Sequence, residues 1–194
     1  MPTDPTSRYK PVQRHLHWII FALVLAAYVL INLHEATSRG NPLHEVTEHA
    51  HMVVGVLVLL LVLPRLWMRK KYGAPPIEPP MAFAARWFAR VTHWALYAFL
   101  VVQPLLGITT REVAGRGVSL FGVTLVPAFV SNPNRELARE IFQYHAWLGT
   151  AFYYVIALHI LAALWHHYVR RDDTMQRMLG ESPREATAKV AAAD

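Results

Sequence analysis

Residues 144–168 read YHAWLGTAFYYVIALHILAALWHHY, a stretch that contains no Asp, Glu, Lys or Arg. A helix needs about 20 apolar residues, at about 1.5 Å each, to cross the hydrocarbon core of a bilayer. The stretch is therefore predicted to be a membrane-spanning helix. Within it, His145 and His159 lie fourteen residues apart, which is about 21 Å along a helix axis and about 40° away from the same face. One helix thus carries two imidazoles at two depths.

Three other apolar runs precede this stretch, and the chain of 194 residues is 54% hydrophobic but only 16% charged. The first run follows basic residues, as in a signal peptide, but it is too long for one and no small-residue cleavage motif follows. We predict an all-α fold, an integral membrane four-helix bundle forming a single domain over residues 1–194. The predicted helices cover about residues 15–34, 46–69, 86–110 and 140–170, with loops at 70–80 and 111–140.

The basic residues predict the orientation of the bundle. If the N-terminus is inside, 14 of the 19 Lys and Arg residues flank the inner ends of the helices. Positively charged residues concentrate on the cytoplasmic side of membrane proteins, so an N-in/C-in arrangement is predicted. The formal net charge of +6 then reflects membrane topology, and no nucleic acid partner is expected.

The chain contains no Cys but 11 His. Without Cys, a redox centre needs histidine ligands. In helices that alternate in direction, His17 lies at the depth of His159 near the inner side, and His51 at the depth of His145 near the outer side. These two pairs predict two b-type haems (two haem b molecules), and each pair of histidines is predicted to bind the iron of one haem. For any one of these histidines alone, an interhelical hydrogen bond is an equally good explanation.

Glycines stand four residues after both predicted outer ligands, Gly55 after His51 and Gly149 after His145. A missing side chain one helical turn away leaves space for a flat macrocycle against the backbone. Two nitrogen ligands fill both axial positions of each iron, which predicts one-electron transfer rather than oxygen binding.

Several polar residues gather at the inner ends of the predicted helices. His166, Trp18 and Gln13 are predicted to form a quinone site, although residues of an interfacial belt would have the same positions. Arg65 is predicted to pair with a haem propionate, the alternative being an anchor that sets topology. His93 is predicted to bond either a propionate or a neighbouring helix. No catalytic residue is assigned.

The outer side carries His34, His44 and His49 together with Glu residues. Such side chains can bind a divalent metal. A metal site is not expected here, because His49 and His51 lie two residues apart and point to opposite faces of a helix.

Five groups of residues resemble one known family over nearly the whole chain. They are HWIIFALVLAAY (17–28), HMVVG (51–55) with LPRLWMR (63–69), KKYGAPPIEPP (70–80), THWALY (92–97) with QPLLG (103–107), and the stretch 144–168. The chain resembles the bacterial cytochrome b-561 family of diheme membrane cytochromes b, which includes superoxide oxidase. The resemblance implies that the four histidines named above are the axial ligands, in agreement with their depths.

The resemblance further implies an oxidoreductase of the bacterial inner (cytoplasmic) membrane that oxidises superoxide to dioxygen at the outer face and reduces ubiquinone in the membrane. Its expected partners are membrane lipid, ubiquinone and superoxide, without an obligatory protein partner. The outer segments carry five basic and six acidic residues, so only a local cluster would attract superoxide. That cluster consists of Arg111, Arg116, Arg135 and Arg139.

Two other functions are compatible with the sequence. The first is a haem-b anchor subunit that links a hydrogenase or dehydrogenase to the quinone pool. The second is a histidine-lined metal transporter without redox activity.

Overall fold

The computed structural model describes residues 9–77, 80–120 and 123–180 of the chain. Within these residues, four helices are long and apolar enough to span a membrane, which confirms the predicted all-α membrane bundle. Four spans put residues 9 and 180, the two ends of the described chain, on the same side; "inner" and "outer" below follow the orientation predicted from charge. The helices are α1 (Pro11–Ala36), α2 (Pro42–Tyr72), α3 (Phe83–Val113) and α4 (Arg135–Trp165), which continues as a π-helical turn (His166–Arg170).

Helices α1, α2 and α3 extend beyond their predicted ends, and α4 begins at residue 135 instead of 140; in α2 and α4 an Asn cap lies ahead of the apolar run. The side chain of Asn41 accepts the backbone N–H of Leu43, and Pro42 occupies the first helical position of α2. The side chain of Asn134 accepts two backbone N–H groups at the start of α4. Caps of this kind satisfy N–H groups that have no partner within the helix.

The outer connection between α3 and α4 is not the continuous polar loop predicted for residues 111–140. The strands β1 (Val118–Leu120) and β2 (Val123–Val126) pair as an antiparallel hairpin. The hairpin depends on Gly117, because a Cβ there would lie 2.3 Å from the carbonyl oxygen of Val126. A larger residue would push the backbone of the hairpin away.

The four helices do not pack equally against one another. Helix α1 packs along α2, α3 packs along α4, and α2 packs against α3. Few side chains in the described residues are fully buried, and large apolar residues cover the outside of the bundle, as expected where lipid surrounds the protein. A short helix, α5 (Thr174–Leu179), follows α4 at the inner end.

Candidate functional site

The predicted outer ligands face each other between α2 and α4. The ring centroids of His51 and His145 are 6.3 Å apart and their planes are perpendicular. His51 Nδ1 donates to the carbonyl oxygen of Ala27 (2.9 Å), and His145 Nδ1 donates to that of Gln103 (3.0 Å). A carbonyl oxygen only accepts, so the hydrogen of each ring is on Nδ1 and the Nε2 lone pair is available to bind a metal.

The predicted inner ligands face each other between α1 and α4. The centroids of His17 and His159 are 6.5 Å apart, with an angle of 84° between the ring planes. The structure therefore pairs the same histidines that were matched by depth in the sequence. Helix α4 contributes one member to each pair.

The separations within both pairs fit one metal ion between the rings. A metal–imidazole bond of about 2.0–2.1 Å, with about 1.1 Å from nitrogen to ring centre, puts the centroids of two opposed imidazoles about 6.3 Å apart. A direct hydrogen bond of about 3.0 Å would bring them to about 5.2 Å. The observed 6.3 and 6.5 Å match the first arrangement. This geometry favours metal ligation over interhelical hydrogen bonds.

The bundle also offers space for a macrocycle at the outer pair. Both pairs join α4 to α1 or α2, and neither of these helix combinations packs extensively. A Cβ at Gly55 would meet nothing within 4 Å, as expected beside a slot for haem. Gly149 differs from the prediction, because its Cα faces the amide of Gln103 and its carbonyl accepts the hydroxyl of Tyr28.

Gly107 on α3 is a further residue of the outer site that the sequence analysis missed. A Cβ there would lie 3.2 Å from Cε1 of His145. This contact is tight, so the glycine lets the imidazole lie against the backbone of α3. The segment QPLLG (103–107) contains both Gly107 and Gln103. The backbone carbonyl oxygen of Gln103 accepts the Nδ1 hydrogen of His145.

A third imidazole lies beside the inner pair. The centroid of His93 is 5.5 Å from that of His159, and His93 Nδ1 donates to the carbonyl oxygen of Ala89. This separation is shorter than two imidazoles on opposite sides of one metal ion require. The distances therefore favour His17 over His93 as the partner of His159.

Arg65 lies within electrostatic range of His17, His93 and His159. Its guanidinium carbon is 5.7 Å from the ring centre of Tyr97, a separation typical of a cation–π contact. Within the described part of the chain, no Asp or Glu forms an ion pair with Arg65. Its position agrees with the predicted role of binding a propionate.

The three residues predicted to bind a quinone lie at the inner end, each with a different partner. Gln13 is buried, and its amide donates to the carbonyl oxygen of Gly73 (3.2 Å). Trp18 Nε1 donates to the carbonyl oxygen of Met178 (3.1 Å). His166 Nδ1 lies 2.5 Å from a carboxylate oxygen of Asp172. Gln13 and Trp18 thus brace the fold, whereas His166 keeps its second ring nitrogen for other contacts.

Residues 171–180, here called the C-terminal clasp, follow the π-helical turn and fold back against the inner end of the bundle. This segment was not predicted from the sequence. Asp172 and Arg177 are buried within this segment. Arg177 Nη1 donates to the carbonyl oxygens of Pro75 and Pro76, both at 2.7 Å. Burial raises the pKa of Asp172, but hydrogen bonds from His166 and Thr174 outweigh it, so the net pKa is lowered.

The outer face has a cavity of about 270 Å³ that is lined by Arg116, Arg135, Arg139 and Phe142, among others. The ring of Phe142 stacks near that of His145, with 6.4 Å between centroids. The structure thus brings together three of the four arginines in the predicted cluster. The fourth, Arg111, instead forms a salt bridge of 3.2 Å with Glu48.

Comparison with known proteins gives a match to the family model described as prokaryotic cytochrome b561 over residues 8–181. The chain belongs to the prokaryotic cytochrome b561 family. A Yersinia pestis protein named probable superoxide oxidase CybB is 32% identical over 172 residues, which cover 89% of this chain and 96% of the relative. Cytochrome b561 homolog 1 of Escherichia coli K12 is 32% identical over 173 residues (89% and 97%), and homolog 2 is 28% identical over 183 residues (93% and 95%).

Membership of the cytochrome b561 family makes this chain a membrane electron-transfer protein that binds b-type haem. With its four apolar helices, it is a multi-pass protein of the bacterial inner membrane. The metal-transporter interpretation does not account for this membership.

Proposed function

We propose that the protein is a superoxide:ubiquinone oxidoreductase with two b-type haems. The observation that carries the proposal is the arginine-lined cavity next to the outer histidine pair. Arg116, Arg135, Arg139 and Phe142 line it, and the ring centroid of Phe142 is 6.4 Å from that of His145, a predicted haem ligand. A small anion is attracted to such a site at the point where its electron has to enter the protein.

Each haem is proposed to be bound by one pair of histidines. His51 and His145 would bind the outer haem through Nε2, and His17 and His159 would bind the inner one, with Arg65 beside it for a propionate. When bound, the haems supply one-electron transfer between the two sides of the membrane. The backbone carbonyl groups that accept the Nδ1 hydrogens hold the outer rings in the orientation that ligation needs.

The positive charge of the arginines around the cavity favours superoxide, which is an anion, over its neutral product dioxygen. Among the described residues, none of Arg116, Arg135 and Arg139 forms an ion pair. Dioxygen carries no charge, so it leaves the cavity once the electron has been removed.

The name of the Yersinia pestis relative, probable superoxide oxidase CybB, supports the same reaction. Ubiquinone is proposed to bind at the inner end, where His166 presents a ring nitrogen near the membrane surface. Two superoxide ions then supply the two electrons for each ubiquinone.

The proposal is tested by mixing the purified, oxidised holoprotein rapidly with superoxide and following haem reduction optically. Ubiquinone is then added. We expect fast reduction, followed by reoxidation that depends on ubiquinone, and no reduction when superoxide dismutase is present. Failure of superoxide to reduce a sample with two haems per chain would reject the proposal and favour the anchor subunit of a hydrogenase or dehydrogenase.

A further inference from the structure

The π-helical turn at the end of α4 brings a carboxylate back onto the helix. The turn covers His166–Arg170, and Arg171 then adopts a left-handed conformation (φ 53°) that reverses the chain. The backbone N–H of Asp172 donates to the carbonyl oxygen of His166 (3.1 Å). The side chains of the same two residues meet as a result, with 2.5 Å between Nδ1 and Oδ2.

Asp172 is held more tightly than a surface carboxylate. It is 1% exposed, Oδ2 also accepts from Arg170 Nε (3.0 Å), and Oδ1 accepts from the backbone N–H of Thr174 (3.1 Å). A buried carboxylate with this number of donors remains ionised. It therefore accepts the Nδ1 hydrogen of His166 in both the neutral and the imidazolium form of the ring.

The bond to Asp172 determines which nitrogen of the His166 ring can take part in proton transfer. With Nδ1 bound to Asp172, only Nε2 of His166 can exchange a proton with another molecule. The side chain of His166 is 17% exposed whereas that of Asp172 is 0% exposed, so a ligand reaches the histidine and not the carboxylate. The arrangement is that of a general acid and the residue that orients it.

We propose that Asp172 is a positioning residue that orients His166 to deliver protons to ubiquinone. The inference rests on the proposed function. Reduction of one ubiquinone takes two electrons, supplied by two superoxide ions, and two protons. For each proton, the N–H bond at His166 Nε2 breaks and an O–H bond forms on a quinone oxygen, and the imidazole then takes a new proton from water on the inner side.

The clasp also contains a matched control for this role. Asp173 is adjacent in sequence but forms its ion pair with Arg177 (3.3 Å). Asp172→Asn removes the charge that faces His166, whereas Asp173→Asn removes a charge of the same sign from the same turn. A purely structural role of the clasp predicts similar effects from both substitutions.

The experiment uses holoprotein with both haems and measures ubiquinone reduction by superoxide at several ubiquinone concentrations. For Asp172→Asn we expect kcat to fall about 10- to 100-fold with little change in KM, because proton delivery and not binding is lost. Asp172→Glu should recover part of kcat, and Asp173→Asn should keep the wild-type value. Equal kcat values for Asp172→Asn and the wild type would overturn the inference.

A second variant keeps the test decisive if Asp172→Asn does not fold. His166→Asn retains an N–H donor close to the position of Nδ1 but has no counterpart of Nε2. It should therefore keep the bond to Asp172 and the haem spectrum, yet lose kcat to the same extent. A wild-type kcat in this variant would also overturn the inference. If the wild-type protein itself does not reduce ubiquinone, the proposed function fails, which is a different result.

Discussion

The outer and inner histidine pairs share nearly the same separation but are held in different ways. At the outer pair, carbonyl oxygens from the backbones of α1 and α3 fix both rings through Nδ1. At the inner pair, the neighbours are side chains, namely the imidazole of His93 and the charge of Arg65. Backbone groups fix geometry, whereas charged and aromatic side chains adjust electrostatics. We infer that the outer site is built for a fixed ligand geometry and the inner site for a tuned potential.

Removing one histidine from either pair should have the largest effect and should separate the two sites. His145→Ala is expected to lose the outer haem and His159→Ala the inner haem, because each iron would keep a single protein ligand. Each variant should then contain one haem per chain instead of two. Haem-to-protein ratio and optical spectra measure this. Retention of both haems by His159→Ala would reject the assignment of the inner pair.

The arginine-lined cavity belongs to the outer site alone, so its removal should slow only the superoxide step. For the double substitution Arg116→Gln and Arg139→Gln we expect haem reduction by superoxide to slow about 10- to 100-fold at low salt. The difference should shrink as ionic strength rises, because salt screens the attraction. Stopped-flow mixing measures both effects.

Arg111→Gln is the matched control for the cavity, because Arg111 pairs with Glu48 instead of lining the cavity. It removes one positive charge from the same face of the protein, whereas the double substitution removes two. If it slows superoxide oxidation as much as the double substitution does, the charge of the face and not the cavity determines the rate.

The smallest expected effect concerns the inner site. Arg65→Gln removes a positive charge near the inner haem, which disfavours the added electron and lowers the reduction potential of that haem. The expected shift is a few tens of millivolts, given that about 1.4 kcal/mol corresponds to about 59 mV for one electron. Potentiometric titration should show the outer haem unchanged. Equal shifts of both haems would mean that the charge is not local to the inner pair.

The helices and the histidine pairs could be predicted because both depend on spacing along single helices. Apolar length determines a span, and fourteen residues between His145 and His159 determine two depths on one face. The caps at Asn41 and Asn134 are also recognisable from the sequence, and including them corrects the starts of α2 and α4.

The supports of the site could not be predicted because they join helices that are far apart in sequence. His51 bonds Ala27, 24 residues away, and His145 bonds Gln103, 42 residues away. Only the packing of α1 against α2 and of α3 against α4 determines which carbonyl oxygen meets each ring. The clasp was missed for another reason: α5 has six residues, too few for a periodic pattern to stand out.

The C-terminal clasp has a consequence for the order in which the protein is assembled. The bond from Trp18 to Met178 joins residues 160 positions apart, near the two ends of the described chain. Synthesis proceeds from the N-terminus, so Trp18 enters the membrane long before its partner is made. The clasp can close only when all four spans have been inserted and α4 has met α1. The inner end is therefore the last part of the fold to form, and a chain truncated before α5 would keep its membrane helices but never complete that end.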